Sequence, residues 1–502
     1  MLNPPLQNTA SPQDQEPHDG LQKLLHWQHQ RRERKLRGEY ESALLRLSEL
    51  VNHNIDAPFS ITSVRVEGAS NTRQSFLASL INPILNKPAT TLGQVIHTTR
   101  SISDVLNRTD IFKSVEVRLE RSTHDLAHHS DLDLVFKTRE HGRYFLNTST
   151  ELGNNEGSAS ATARVRNVFG GAEVFEANIA AGTKTKKSFR ATLSLPLTST
   201  LDTRGEFIAY GLERDQTSYA SCFEDLKGAK AVIRKGSSYT GLHEFAYEAA
   251  HRYIGSLAPT ASLSMRAAAG SSIKSALSHT YTLDNRDDRI LASRGLYFRF
   301  FQELAGGRLE IPVSSTSVSP STGLSVGLGG DVGFYKAEVE SQISRPITNS
   351  VSLSCSMRSG ILLGLQDKST LFSDRFQIGG PTSVRAFKVF GMGPRDSGDS
   401  LGGDIYYSFG LSCVTNIPRK PHWPVKSHIW LNAGQLDSLS QDNRLRWSLP
   451  PSLMRPSVSM GVGLIYRFDP IRLEVNFGVP LIANKSDAMR RGVQIGMGLE
   501  FL

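Results

Sequence analysis

Ile471-Arg472-Leu473-Glu474-Val475-Asn476-Phe477-Gly478-Val479 alternates without a break. Apolar residues hold the odd positions; charged, polar or glycine residues hold the even ones. A period of two puts every apolar side chain on one face of an extended strand. The same rhythm recurs in Phe189, Ala191, Leu193, Leu195 and Leu197 against Arg190, Thr192 and Ser194. It recurs again in Phe175, Ala177, Ile179 and Ala181 against Glu176 and Asn178. A soluble sandwich turns such an apolar face inward, whereas a barrel in lipid turns it outward around a polar lumen. Alternation alone fits both. Segment length and number favour the barrel: from Arg143 onward, about sixteen segments of roughly ten residues are separated by Gly, Asp, Asn, Ser and Pro. The expected strand starts include Ser218 and Ser325, the two least sharply marked.

Composition is compatible with this reading. The chain has 502 residues, 39% of them hydrophobic, a formal net charge of +9 and three cysteines. Its mean hydropathy is −0.27. The sequence holds no run of about 20 apolar residues, which disfavours membrane helices and leaves β-strands open. Cys222, Cys355 and Cys413 are too few and too far apart for a disulfide framework or a CxxC metal motif. Basic residues are spread along the chain without an RNA-binding aromatic motif or zinc-finger spacing, so no nucleic-acid partner is expected.

Residues 1–57 read as a polar tail followed by a helical extension over Leu21–Val51, with leucines at helical spacing. Residues 1–20 lack the apolar core of a secretory signal, and Arg31–Lys35 reads as a solvated helix face. Residues 58–140 read as a small domain of order β-α-α-β-β. Thr62, Val64 and Val66 begin it, and a first helix carries Phe76, Leu77, Leu80 and Ile81 and stops near Pro83. A second helix spans Leu92–Leu106, and two further strands follow. Between those strands, His124-Asp125-Leu126-Ala127-His128-His129 fits a solvated hairpin loop better than a metal site, so no metal or cofactor is expected.

Gly323-Leu324-Ser325-Val326-Gly327 spells a nucleophile elbow, but a Ser/Thr/Pro loop precedes it and no helix pattern follows. The chain is therefore not expected to be an enzyme. The informative segment is Phe376-Gln377-Ile378-Gly379-Gly380-Pro381-Thr382-Ser383-Val384-Arg385-Ala386-Phe387, in a long connection over about 364–401. Aromatic and apolar residues beside paired glycines suit a loop folded back into a lumen. Arg385 would then need a carboxylate on the wall. Glu474, on the polar face of its strand, is the best candidate, and Asn432 is a second acceptor.

The string Gly379, Gly380, Pro381, Val384, Arg385, Phe387 resembles the signature of the BamA-like outer-membrane assembly superfamily. Ala386 stands where that family has glycine. Thr282–Asp287 with Arg294-Gly295 resembles another family string, and the β-α-α-β-β zone resembles a single POTRA domain. Gln494-x-Gly496-x-x-Leu499-x-Phe501 is similar to the C-terminal β-signal of mitochondrial barrels. The resemblance implies the mitochondrial branch, the barrel subunits of the sorting and assembly machinery. These would sit in the mitochondrial outer membrane with the POTRA domain and N-terminus in the intermembrane space. The implied activity is insertion of unfolded β-barrel precursors carrying a β-signal, beside cytosol-facing metaxin-like subunits. A channel of the same superfamily is the alternative.

Insertion would use an opening seam between the first and last barrel strands. The first is weakened by Asn147, Thr148, Ser149, Thr150 and Glu151, and the last by Gly492, Gly496 and Gly498. Phe145, Leu146, Asn147, Thr148 and Glu151 would line the seam on one side. Gln494, Gly496, Leu499 and Phe501 would line it on the other.

Overall fold

The computed structural model describes residues 21–36, 51–122, 128, 130–153, 156–306, 308–311, 324–348, 350–365, 368–417, 420, 423–439, 451–468 and 471–498. Leu499, Phe501, the leucines between 44 and 50, and most of the histidine-rich loop lie outside these residues. The chain divides into two compact units, residues 1–70 with 77–140, and residues 71–76 with 141–502.

In the first unit the helix Leu21–Leu36 is mostly exposed. The small sheet contains β1 (Ser60–Glu67), β2 (Phe112–Arg121) and β3 (Asp131–Glu140), in the order β1-β3-β2. β1 runs parallel to β3, and β2 antiparallel to it. Between β1 and β2 come the helices Gln74–Leu85 and Leu92–Arg108. Thr91 caps the second by accepting a hydrogen bond from the amide of Gln94. Leu77, Leu80 and Ile81 from one helix and Val95, Ile102 and Leu106 from the other are buried, as are Leu134 and Phe136 of β3. The order is β-α-α-β-β. The first helix ends at Leu85, two residues past Pro83. Proline removes one backbone donor and crowds the preceding turn, and the buried apolar side of this helix outweighs that cost.

The second unit is one antiparallel sheet of sixteen strands. The first nine are β4 (Tyr144–Gly153), β5 (Glu156–Arg166), β6 (Val174–Gly182), β7 (Thr185–Pro196), β8 (Thr203–Asp215), β9 (Phe223–Ser237), β10 (Gly241–Gly255), β11 (Gly270–Asp284) and β12 (Gly295–Ala305). A side hairpin of β13 (Arg308–Ile311) and β14 (Leu324–Gly327) interrupts the sequence. β15 (Phe334–Thr348) and β16 (Val351–Gly364) precede the long loop, whose outer end carries the short pair β17 (Arg395–Asp396) and β18 (Asp399–Ser400). β19 (Ile405–Asn416), β20 (Val425–Asp437), β21 (Ser457–Phe468), β22 (Ile471–Ile482) and β23 (Gly492–Gly498) complete the wall.

Two strand starts differ from expectation. Ser218 lies in a short helix, Thr217–Ala220, and β9 begins at Phe223. Ser325 belongs to the side hairpin, and the wall resumes at Phe334. Both errors come from loops that carry local structure of their own, which a period-two pattern cannot separate from the wall. The placement of Ser325 inside a two-stranded ladder also removes the geometry of a nucleophile elbow.

The wall is apolar outside and polar inside. On β22, Val475, Phe477, Val479 and Leu481 are exposed, while Arg472, Glu474 and Asn476 are buried. On β10, Phe245, Tyr247 and Tyr253 are exposed while Arg252 is buried. This inside-out pattern is the one a lipid solvent selects.

Candidate functional site

The loop between β16 and β19 folds into the lumen because it carries an apolar cluster of its own. Phe376, Ile378, Val384, Phe387 and Met392 are buried against Phe334, Leu362, Tyr406 and Leu436 of the wall. Gly379 and Gly380 adopt φ of 107° and 115°, values open to glycine and closed to most residues. They make the turn that brings Val384 back onto Gly380, whose amide donates to the Val384 carbonyl at 3.1 Å. Pro381 is buried within that turn.

Arg385 leaves this turn with no exposed surface. Its Nε and Nη2 donate to Glu474 Oε2 at 3.1 and 3.0 Å, and its Nη1 donates to Asn432 Oδ1 at 3.1 Å. Glu474 is itself fully buried, so the pair is sealed from water. Asn476 Nδ2 donates to the same carboxylate oxygen at 2.7 Å, and Arg472 pairs with the other oxygen. The guanidinium also lies 5.5 Å from the centre of the Trp430 ring.

The Trp430 ring needs a floor without side chains. In register across three strands, Trp430 of β20 faces Gly461 of β21, which faces Gly478 of β22. A Cβ on Gly461 would come within 2.5 Å of the Trp430 ring, and one on Gly478 within 2.7 Å. This slot was not singled out from the sequence. Its signal was a tryptophan aligned with glycines on two neighbouring strands, and that alignment is visible only once register is known.

Ala386 has φ of 66°, the left-handed region that glycine favours. The residue that departs from the family string therefore keeps the conformation a glycine would take there. A Cβ on Gly478 would come 3.3 Å from the Cβ of Ala386, so the two positions are small for a shared reason.

A second anchor, not anticipated from sequence, holds the loop on the opposite wall. Asp374 Oδ1 accepts from Arg252 Nη1 of β10 at 2.7 Å, with both side chains buried. The loop thus offers a carboxylate to one wall and a guanidinium to the other. At its outer end, Asp396 accepts from the amide and hydroxyl of Ser264, which hold its carboxyl below the usual range.

The two edge strands differ. On β4, Phe145, Leu146, Asn147 and Thr148 are all exposed, although successive residues face opposite sides. Glu151 pairs in the ladder with Ser158 of β5. On β23, Gln494 and Gly496 are buried. Gln494 Oε1 accepts from the Ala386 amide at 2.8 Å, and its Nε2 donates to the Phe387 carbonyl at 2.9 Å. The chain just before β23 pairs with the loop as well. The Lys388 amide donates to the Ala488 carbonyl at 2.9 Å, and the Arg490 amide to the Ala386 carbonyl at 2.9 Å. Among the described residues, β4 and β23 form no hydrogen-bonded ladder, although their Cα atoms approach within 8 Å.

Comparison with known proteins follows the same lines. Residues 62–501 match the Omp85 superfamily domain. A SAM50-like protein of Schizosaccharomyces pombe is 32% identical over 469 residues, covering 92% of this chain and 95% of that protein. The sorting and assembly machinery component 50 homolog of Homo sapiens is 30% identical over 448 residues, covering 88% of this chain and 90% of that protein. In fold, the chain resembles BamA from Haemophilus ducreyi lacking POTRA domains 1–3, with a TM-score of 0.69 at 14% identity. That likeness covers 88% of this chain and 84% of the other.

Proposed function

The chain belongs to the Omp85 superfamily, and from that premise we propose that it folds and inserts β-barrel precursors into the mitochondrial outer membrane as the barrel subunit of a sorting and assembly machinery. Its partners in this reading are unfolded precursors with a C-terminal β-signal, peripheral metaxin-like subunits on the cytosolic side, and the lipid bilayer. The POTRA-like unit and the N-terminus face the intermembrane space.

The mechanism rests on edge chemistry. A strand entering lipid cannot leave its amides and carbonyls unpaired. An unpaired sheet edge offers partners for them by β-augmentation. The observation that carries the proposal is β4, a strand without a ladder on one side among the described residues and exposed on both faces. An incoming last strand pairs with β4 along Phe145–Glu151, in the place that β23 would otherwise take. Successive strands then follow it through the seam. The buried loop, pinned through Arg385 and Asp374, fills the lumen, which favours insertion at the seam over a passive pore.

The test is cross-linking. With Cys222, Cys355 and Cys413 replaced, single cysteines at Asn147 or Thr148 should capture a cysteine in the last strand of a barrel precursor during insertion. Insertion of the precursor with no cross-link at either position, while single cysteines placed within residues 58–140 capture it, would sink the proposal.

A further inference from the structure

The string Thr282–Asp287 ends β11 and turns the chain toward β12 as a rigid corner. Asn285 Oδ1 accepts from the Leu296 amide at 2.6 Å. Gly295 has φ of 120°, and a Cβ there would come within 2.6 Å of the Arg286 Cα. Asp284 accepts from Nε and Nη2 of Arg286 at 2.9 and 3.0 Å, and Gln342 of β15 accepts from Nη1 at 2.6 Å. A guanidinium has five N–H donors, so the corner fixes Arg286 and leaves donors over. Beside it lies a cavity of about 40 Å³, lined by Arg286, Arg289, Arg358 and Arg472 with Tyr297 and Glu340. That is space for a few water-sized groups, the scale of one carboxylate. Glu340, Arg358 and Arg472 project inward; Ile343, Met357 and Val475, on the alternate positions of the same strands, are the exposed ones. The cavity therefore opens to the lumen and not to lipid.

Carboxylates are scarce around it, and each stands between two arginines. Asp284 holds Arg286 and lies 3.7 Å from Arg289. Glu474 holds both Arg385 and Arg472. Glu340 stands in register between Arg299 and Arg358, and its ion pair is with Arg299 at 3.4 Å. Asp288, in the same connection, is taken by Arg467, and Asp287 by the hydroxyl and amide of Ser293. Six arginines thus share three carboxylates among the described residues, a surplus of three positive charges. A recess lined by one sign of charge focuses the field and concentrates the opposite sign.

We propose that this mouth of the lumen is a receptor for acidic stretches of an unfolded polypeptide. One carboxylate enters the cavity beside Arg286 and Arg358, and its neighbours along the chain meet Arg289, whose side chain is 75% exposed at the rim. Guanidinium groups suit this task because they keep their charge and pair with carboxylates through two parallel bonds. A lone inorganic anion would fill the cavity and leave the rim unused, which favours a chain carrying several negative charges. The corner lies at the end of the wall where β4 begins, opposite the end from which the inward loop leaves β16. A polypeptide entering the lumen from that end meets the arginines first. The proposal takes its polypeptide from the assembly reading and adds a binding step before any strand pairs. Its test involves no insertion, so the two fail separately.

The full chain in detergent micelles is titrated into fluorescein-labelled hexaglutamate at low ionic strength, with fluorescence anisotropy as the readout. Hexaglutamine and hexalysine are the comparison probes. Hexaglutamate should bind, more weakly as salt is added, and the other two should bind at least about tenfold less tightly. Arg289→Gln and Arg358→Gln in one chain should weaken hexaglutamate about tenfold. Lys186→Gln and Lys187→Gln in one chain remove the same charge at the opposite end of the wall and should leave the affinity unchanged. Unchanged hydrogen exchange of β15 and β16 shows that the arginine variant keeps its wall. Equal affinity for hexaglutamate and hexaglutamine, or an equal loss from the two double variants, overturns the receptor. Displacement of the peptide by inorganic phosphate at the peptide's own concentration overturns the polypeptide as its ligand and leaves a site for a free anion.

Discussion

β4 and β23 bound the same seam but are built in opposite ways. β4 is rich in Asn, Thr and Ser, and residues 145–148 are exposed whichever way they point. β23 is rich in glycine, yet its inward residues Gln494 and Gly496 are buried, Gln494 with its side chain bonded to the inward loop. An edge strand has unpaired amides and carbonyls that must find partners or water. At β23 the inward Gln494 side chain bonds the loop backbone, and the chain just before the strand, at 488–490, pairs with the loop backbone. At β4 nothing among the described residues does so. The two edges of the sheet are not symmetrical: one is held by the protein's own loop, and among the described residues the other is not.

The largest effect should come from removing what holds the loop. Arg385→Ala leaves Glu474 buried beside Arg472 without its main partner. Breaking a buried pair in this way costs about 3–5 kcal/mol. Precursor insertion in reconstituted liposomes should fall severely, while hydrogen exchange of residues 58–140 within the full variant chain should be unchanged. Normal insertion by this variant would remove the loop from the account. In the variant the asymmetry should fade, with β23 as accessible as β4.

A smaller effect is expected in hydrogen exchange of the unaltered protein. Amides of β4 on the seam side should exchange at least about tenfold faster than those of β23, because local opening tracks the local contacts. Equal protection of the two strands would break the comparison at its root.

The smallest effect is expected from Ala386→Gly. A non-glycine residue in the left-handed region costs roughly 1–2 kcal/mol, and glycine removes that cost while losing only one buried methyl. Thermal unfolding should rise slightly, with insertion retained. A marked fall in stability would mean that the Ala386 methyl matters more to the loop than its backbone strain.

The wall was largely legible in the sequence because its physics is local. Period-two alternation needs no knowledge of neighbours, and the segments after Arg143 carried it. It failed at Ser218 and Ser325, where loops with their own helix or hairpin blurred the period. Glu474 and Asn432 could be named beside Arg385 because a buried guanidinium needs acceptors and both residues sit on inward faces. Asp374 and Arg252 could not, since a charge in a loop and a charge on a distant strand give no sign that they meet. Gln494 was read as part of the seam; the structure puts its side chain on the loop peptide, a contact between residues more than a hundred positions apart.

By itself, then, the sequence determined the alternating wall, the β-α-α-β-β order of residues 58–140, and a loop too apolar and too glycine-rich to lie in water. These follow from short-range periodicity and backbone chemistry. Only the tertiary structure decided the register that slides Trp430 over Gly461 and Gly478, the opposed anchors that pin the loop, and the unequal condition of the two seam strands. Those depend on which distant residues a closed lumen brings within hydrogen-bond reach, and nothing along the chain encodes that distance locally.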